Sequence, residues 1–193
     1  MSEDFLEIES KYSADEIMRN DFKDHINTFG PKEFIYVEST DVYYVKNDEE
    51  FLRYRMPSRN KLSGQENRSE LTFKKKHKEG NNQTRTEVNL RIDLNEPKLV
   101  EAFCIGLGYI RNFSVEKCCD IYYLEDGTDI VFYSVKDENN KYSYFIEIES
   151  KENSGLTKEQ SWETVLKYEK MLLPLGITPQ KRKKLSLFEI YRK

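Results

Sequence analysis

The sequence predicts an α+β protein built on antiparallel strands, eight of which can close into a barrel with helices packed outside it. Three observations carry this. Short runs alternate polar with apolar residues, as a strand with one buried face requires. Turn residues such as Asp126-Gly127 and Gly80-Asn81-Asn82 separate the runs. The first run, Phe5-Leu6-Glu7-Ile8-Glu9-Ser10-Lys11, returns late as Phe145-Ile146-Glu147-Ile148-Glu149-Ser150-Lys151.

In order, the first run is a strand that puts Glu7, Glu9 and Lys11 on one face and Leu6 and Ile8 on the other. Ser13-Ala14-Asp15-Glu16 reads as a capping box opening a helix that buries Ile17, Phe22 and Ile26. Gly30-Pro31 ends it. Phe34 to Val37 and Val42 to Val45 are strands, with a bend expected at Ser39-Thr40-Asp41. Phe51-Leu52-Arg53-Tyr54-Arg55-Met56 follows, then a loop over 57–68 and the strand Leu71-Thr72-Phe73-Lys74-Lys75-Lys76.

Arg85-Thr86-Glu87-Val88-Asn89-Leu90-Arg91-Ile92 is the next strand. Asn95 and Pro97 open a second helix whose buried face is expected to be Leu99, Val100, Phe103 and Leu107. Strands near 110–123, 130–135 and 145–151 complete the sheet, and Thr157 to Gln160 caps a third helix through Trp162, Val165 and Leu172. The stretch 180–193 reads as a last, docked helix. One domain over 1–193 is expected, with strands and two inserted helices in 1–151 and a helical segment in 152–193.

Composition narrows the partners. Charged residues make up 34% and aromatics 13% of the 193 residues, too aromatic for a disordered chain. The net charge of −4 gives no overall attraction to nucleic acid or anionic membrane, so any bound anion must be held by local cations. No apolar run approaches the ~20 residues of a membrane span. The start lacks a signal-peptide pattern, and Cys104, Cys118 and Cys119 have no metal-type spacing, so a reduced, cytoplasmic protein is expected.

Collecting the polar parity of each strand gives the acids Glu7, Glu9, Glu87, Glu147 and Glu149. The bases are Lys11, Arg53, Arg55, Lys74, Lys76, Arg85, Lys117 and Lys151. A solvated sheet face would mix such charges. Here carboxylates pair on two strands and cations pair on others, which suits a polyphosphate held by Arg and Lys and bridged by Mg²⁺ or Mn²⁺.

At these residues the chain resembles the CYTH superfamily, the triphosphate tunnel metalloenzymes. Glu7, Glu9 and Lys11 match its Glu-x-Glu-x-Lys, and Glu147 with Glu149 its later acidic pair. Leu52 to Arg55 resembles Leu-Arg-x-Arg, Leu71 to Lys74 resembles Leu-Thr-x-Lys, Arg85 to Glu87 resembles Arg-x-Glu, and Asp41-Val42-Tyr43-Tyr44 resembles Asp-x-Tyr-Tyr. The resemblance implies an eight-stranded tunnel open at both ends with a triphosphate lying along it. It implies divalent ions on Glu7, Glu9, Glu147, Glu149 and a late Asp matched to Asp137. Arg53, Arg55, Lys74, Lys76, Arg85, Glu87 and Lys117 would line the substrate, and Lys11 with Glu9 would serve catalysis, Lys11 orienting water. Two positions depart from the pattern: Cys119 replaces an Arg, and Asn89 replaces a Glu.

Three activities fit the resemblance. One is hydrolysis of a nucleoside, thiamine or inorganic triphosphate. Another is the class IV adenylyl cyclase reaction, giving cyclic AMP and pyrophosphate. The third is non-catalytic binding of a nucleotide or polyphosphate. The expected partner is a triphosphate-bearing small molecule; nucleic acid enters only as a 5′-triphosphate end, membrane is not expected, and a homodimer stays open.

Overall fold

A computed structural model describes residues 6–56, 69–76, 84–92, 96–151 and 157–193, apart from the side chains of residues 6, 7, 84, 85 and 151. The strands are β1 (Leu6–Ala14), β2 (Glu33–Val45), β3 (Glu50–Met56), β4 (Ser69–Lys76), β5 (Thr84–Ile92), β6 (Ile110–Tyr123), β7 (Thr128–Lys136), β8 (Tyr142–Lys151) and β9 (Arg182–Lys183). The helices are α1 (Met18–Asn27), α2 (Pro97–Gly106), α3 (Lys158–Met171) and α4 (Leu187–Tyr191). All strand pairs are antiparallel, in the order β5-β4-β3-β2-β6-β7-β8-β1-β9, and β1 pairs additionally with β5 through Leu6↔Thr86, Glu7↔Arg85 and Ile8↔Thr84.

Alternation does the sorting. The outward parity of β1, β6, β7 and β8 (Ile8, Tyr12, Tyr122, Ile130, Phe132, Ile146, Ile148) packs under Phe22 and Ile26 of α1 and Val165 and Tyr168 of α3. Val42, Tyr44, Leu52, Tyr54 and Leu71 pack under Val100 and Cys104 of α2. The helices thus take up the apolar face and leave the other parity of the strands facing inward. No helix among the described residues is long and apolar enough to cross a membrane.

Four local expectations need correction. Ser13 does not cap α1. It lies in β1 opposite Phe145, and strand pairing carries on to Ala14, so α1 starts at Met18 without a side-chain cap and leaves Ile17 87% exposed. The bend at Ser39-Thr40-Asp41 is absent: β2 is continuous, because Asp41 finds a partner within the sheet. In α2 the buried residues are Val100 and Cys104, one turn apart, while Leu99, Phe103 and Leu107 are exposed; Asn95 lies outside the described residues.

The fourth concerns 180–193, expected as one helix. Its basic start is instead β9, paired with Lys11 and Tyr12 of β1, and only Leu187–Tyr191 is α-helical. Arg182 and the buried Tyr12 hydroxyl both donate to Glu169 of α3, which fixes β9 against the sheet. Leu185 and Ile190 stay exposed, whereas Leu187 and Phe188 are buried. The capping box at Thr157 and Gln160 forms as its spacing predicts.

Candidate active site

The inward parity builds a cavity of about 380 Å³ to which each of β1 to β8 contributes side chains. Its charged lining is unusually dry: Glu9, Lys11, Lys74, Lys117, Asp129 and Glu147 are each at most 8% exposed. Ionised groups are rarely buried to that degree unless paired or holding a ligand. This excludes a water-washed charged face.

The acidic wall follows from register. Glu9 of β1 stands directly opposite Glu149 of β8, and Glu149 directly opposite Asp129 of β7. Two positions further along, on the same face, Lys11 stands opposite Glu147. Directly opposed side chains lie roughly 4.5–5.5 Å apart at Cβ, so these strands press four carboxylates and one ammonium together. Lys11 Nζ lies 2.9 Å from Glu147 and 3.8 Å from Glu9. Tyr133 donates a hydrogen bond of 2.8 Å to Glu147, and Lys117 sits 4.2 Å over the Tyr133 ring. Burial alone would push the Glu147 carboxyl up, but Lys11 and Lys117, with the Lys11 and Tyr133 hydrogen bonds, hold it down to about 2.

Carboxylate oxygens of Glu9, Glu147 and Glu149 lie within 4.8 Å of one another. Two oxygens on one Mg²⁺ are separated by at most about 4.2 Å, so a small inward rotation brings the three onto one ion. The donor set, all carboxylate oxygen, suits a hard divalent cation. The residues therefore fit the metal that the sequence pattern implies.

The basic wall comes from β3, β4 and β6. Arg55 makes a two-pronged pair with Asp41, Nε to Oδ1 and Nη2 to Oδ2, both 2.9 Å, and Ser39 adds a hydrogen bond of 3.2 Å. Asp41 is wholly buried; desolvation would raise its carboxyl, and Arg55 beside it, with Arg53 and Lys117, holds it well below the usual carboxylate range. Arg53 donates to Thr72 at 3.0 Å and approaches Glu70 and Glu87 at 3.4 and 3.8 Å, while its buried Nε has no hydrogen-bond partner among the described residues. An unspent buried donor costs about 1–3 kcal/mol, which an anion in the cavity would recover. Lys74 pairs with Glu87 at 2.5 Å. Asn89 donates to Glu87 at 2.9 Å and accepts from Thr72 at 2.7 Å, so the Asn that replaces a Glu orients both neighbours.

The structure gathers Glu9, Lys11, Arg53, Arg55, Lys74, Glu87, Lys117, Glu147 and Glu149 around this one cavity. Two expected residues fall otherwise. Asp137 sits in the β7–β8 turn, where its carboxylate accepts from the amides of Asn139 and Lys141, so it is not on the acidic wall. Asp129 stands there instead. It could have been found by parity, since it shares its face of β7 with Val131 and Tyr133. Lys76 does not line the cavity either; it pairs with Glu189 of α4 at 3.3 Å. Glu7 and Arg85 are placed by backbone register as direct partners, and Lys151 opposite Glu7, but these three side chains lie outside the described ones. The sequence also gave no sign that Ser186, Leu187 and Phe188 would line the cavity.

No family model matches the sequence, and no curated relative does. Solved structures do. A protein of Pyrococcus horikoshii OT3 is 28% identical, with a TM-score of 0.71 over 95% of this chain and 97% of that one. A conserved hypothetical protein of Pyrococcus furiosus is 27% identical, with a TM-score of 0.69 over 95% and 98%. The Mimivirus capping enzyme triphosphatase, at 13% identity, gives a TM-score of 0.57 over 91% and 90%. The chain thus shares its overall fold with the two Pyrococcus proteins and with that triphosphatase. Cys119 is buried in the cavity lining near Lys117 and Arg55, at the position where the resemblance implies an Arg, and burial pushes its thiol up despite those two cations.

Proposed function

We propose that this chain is a divalent-metal-dependent phosphohydrolase that binds a triphosphate, on a nucleoside, on thiamine or inorganic, inside a basic tunnel. The observation that carries the reading is the buried juxtaposition of an acidic wall (Glu9, Glu147, Glu149, Asp129) and a basic one (Arg53, Arg55, Lys74, Lys117) on one cavity. The β1–β5 pairing favours a closed eight-stranded barrel. In such a ring β3 and β8 are four strands apart in either direction, so Arg53 and Arg55 face Glu147 and Glu149 across the lumen.

Glu9, Glu147, Glu149 and Asp129 would hold Mg²⁺ or Mn²⁺, with Glu7 as a further candidate ligand. When bound, the ion supplies a Lewis acid that draws charge from phosphate oxygens. Arg53, Arg55, Lys74 and Lys117, with Arg85 as a further candidate, bind the phosphate oxygens and take up charge that develops as the phosphoryl group transfers. Asp41 keeps Arg55 in place. Lys11, held between Glu9 and Glu147, acts as a fixed positive charge that orients water rather than as a base. The buried aliphatic and aromatic residues beneath these groups keep bulk water from screening them.

The test is incubation with ATP, with thiamine triphosphate and with inorganic tripolyphosphate, each with Mg²⁺ or Mn²⁺. Orthophosphate release supports the hydrolase. Cyclic AMP with pyrophosphate would make the chain a cyclase. Tight binding by calorimetry without turnover under any metal would make it a binder only.

A further inference from the structure

Tyr133 touches both walls of the cavity, and neither the charge pattern nor the sequence resemblance assigns it a role. It stands mid-strand in β7 and is wholly buried, directly opposite Phe145 of β8 on one side and Cys119 of β6 on the other. Its ring packs against Phe145, with centroids 5.4 Å apart, so the side chain has one place to go. From there the hydroxyl donates to Glu147 Oε1 at 2.8 Å on the acidic wall, and the ring face carries the Lys117 ammonium at 4.2 Å on the basic one. Lys11 binds the same oxygen of Glu147 at 2.9 Å. Two donors on one oxygen fix the plane of the carboxylate and leave Oε2 for another ligand. A phenol is protonated at neutral pH, so Tyr133 holds the carboxylate without adding charge to the cavity. Lys117 is 6% exposed, and a ring face holds a buried ammonium less strongly than a phosphate oxygen does.

We propose that Tyr133 is a positioning residue for both halves of the site: its hydroxyl turns Glu147 so that Oε2 meets the divalent ion, and its ring holds Lys117 ready for a phosphate oxygen. This rests on the metal and triphosphate reading and adds to it a residue that touches neither ligand. The two roles belong to different parts of one side chain, which sets them apart from packing. Without the hydroxyl, only Lys11 restrains the Glu147 carboxylate from rotating away from the ion. Without the ring, the Lys117 ammonium is drawn to Glu147 and Asp41, both of which feel its charge, and a lysine paired with either is lost to the phosphate.

The experiment measures two affinities separately, by calorimetry on the full-length protein: Mn²⁺ without phosphate, and tripolyphosphate without metal. Tyr133→Phe deletes the hydroxyl and keeps the ring. Its Mn²⁺ affinity is expected to fall by about tenfold or more, and its tripolyphosphate affinity to stay within about twofold. Tyr133→Leu removes both parts, and in it the tripolyphosphate affinity should fall as well, by about fivefold or more. Circular dichroism checks the fold of each variant, and the Phe variant decides the proposal by itself if the Leu variant does not fold. An unchanged Mn²⁺ affinity in Tyr133→Phe overturns the proposal. So does an equal loss of both affinities in that variant, which is what a merely structural residue would give, and so does full tripolyphosphate affinity in a folded Tyr133→Leu. Failure of the unaltered protein to bind Mn²⁺ or tripolyphosphate at all overturns instead the reading of the site on which this rests.

Discussion

Lys11 and Glu147, direct partners across β1 and β8, bring an ammonium nitrogen within 2.9 Å of a carboxylate oxygen while neither side chain is more than a tenth exposed. The same ammonium reaches Glu9 at 3.8 Å. Lys11 thus acts as counter-charge to the acidic cluster, and a divalent ion held by Glu9, Glu147 and Glu149, as proposed above, would share those carboxylates with it. Glu147→Gln keeps the shape of the cluster and removes one charge from it. Metal-dependent phosphate release is expected to fall by about 100-fold, with a higher Mn²⁺ concentration needed for half-maximal rate. A Mn²⁺ titration of phosphate release checks this, and an unaltered Mn²⁺ requirement would remove Glu147 from the metal site.

Asp41 and Arg55 give a stability prediction with a defined sign. The carboxyl of Asp41 is wholly buried, which alone would raise it, yet Arg55 holds it well below the usual range. A carboxyl lowered by folding stabilises the protein above its unfolded value, near pH 4, and that contribution drains away as pH falls towards the folded value. Asp41→Asn leaves Arg55 without its counter-charge and is expected to cost roughly 3–5 kcal/mol near neutral pH. The difference from the unaltered protein should narrow at about pH 3. Urea unfolding at the two pH values measures it; a difference that does not narrow would mean that the carboxylate charge is not what stabilises.

Much of this was legible because strand parity is local. Glu9 and Glu149, 140 positions apart, were assigned to one face from alternation alone, and the register makes them direct partners. Asp41 was misread as a bend because an Asp in a strand has no local partner, and its real partner, Arg55, arrives only when β3 pairs with β2. The resemblance matches a late Asp to Asp137, but that match depends on the length of the β7–β8 hairpin, and the Asp on the acidic wall is Asp129. The tail was the least legible part. Leu185, Leu187, Phe188 and Ile190 look alike to a hydrophobic count, and it is packing against Phe51 and Phe113 on distant strands that buries Phe188 while Ile190 stays exposed.

Arg53 separates binding from charge balance. It lines the cavity beside Glu70 and Glu87, and its buried Nε lacks a hydrogen-bond partner among the described residues. Arg53→Met retains most of the apolar stem and removes the donors. The KM for tripolyphosphate is expected to rise by about 10- to 100-fold, with a smaller change in kcat. Arg53→Lys should recover only part of that, because a lysine cannot reproduce the guanidinium fork. Steady-state kinetics decide it: an unchanged KM in Arg53→Met would assign Arg53 to structure alone.

Cys119 and Cys118 are neighbours in sequence and opposites in setting. Cys119 faces the cavity and is 7% exposed, while Cys118 points the other way and is half-buried. Burial raises the Cys119 thiol more than Lys117 and Arg55 lower it, so little of it is thiolate at neutral pH. Alkylation with iodoacetamide near pH 8, followed by peptide mass mapping, should label Cys118 at least about tenfold faster than Cys119. Adding tripolyphosphate with Mn²⁺ should slow Cys119 further and leave Cys118 unaffected, because only Cys119 shares the cavity with Arg55 and Lys117. Cys119 reacting as fast as Cys118 would mean that the two cations outweigh burial and that the thiolate is the resident form. Equal protection of both by the ligand would instead report a general tightening of β6 rather than occupation of the cavity.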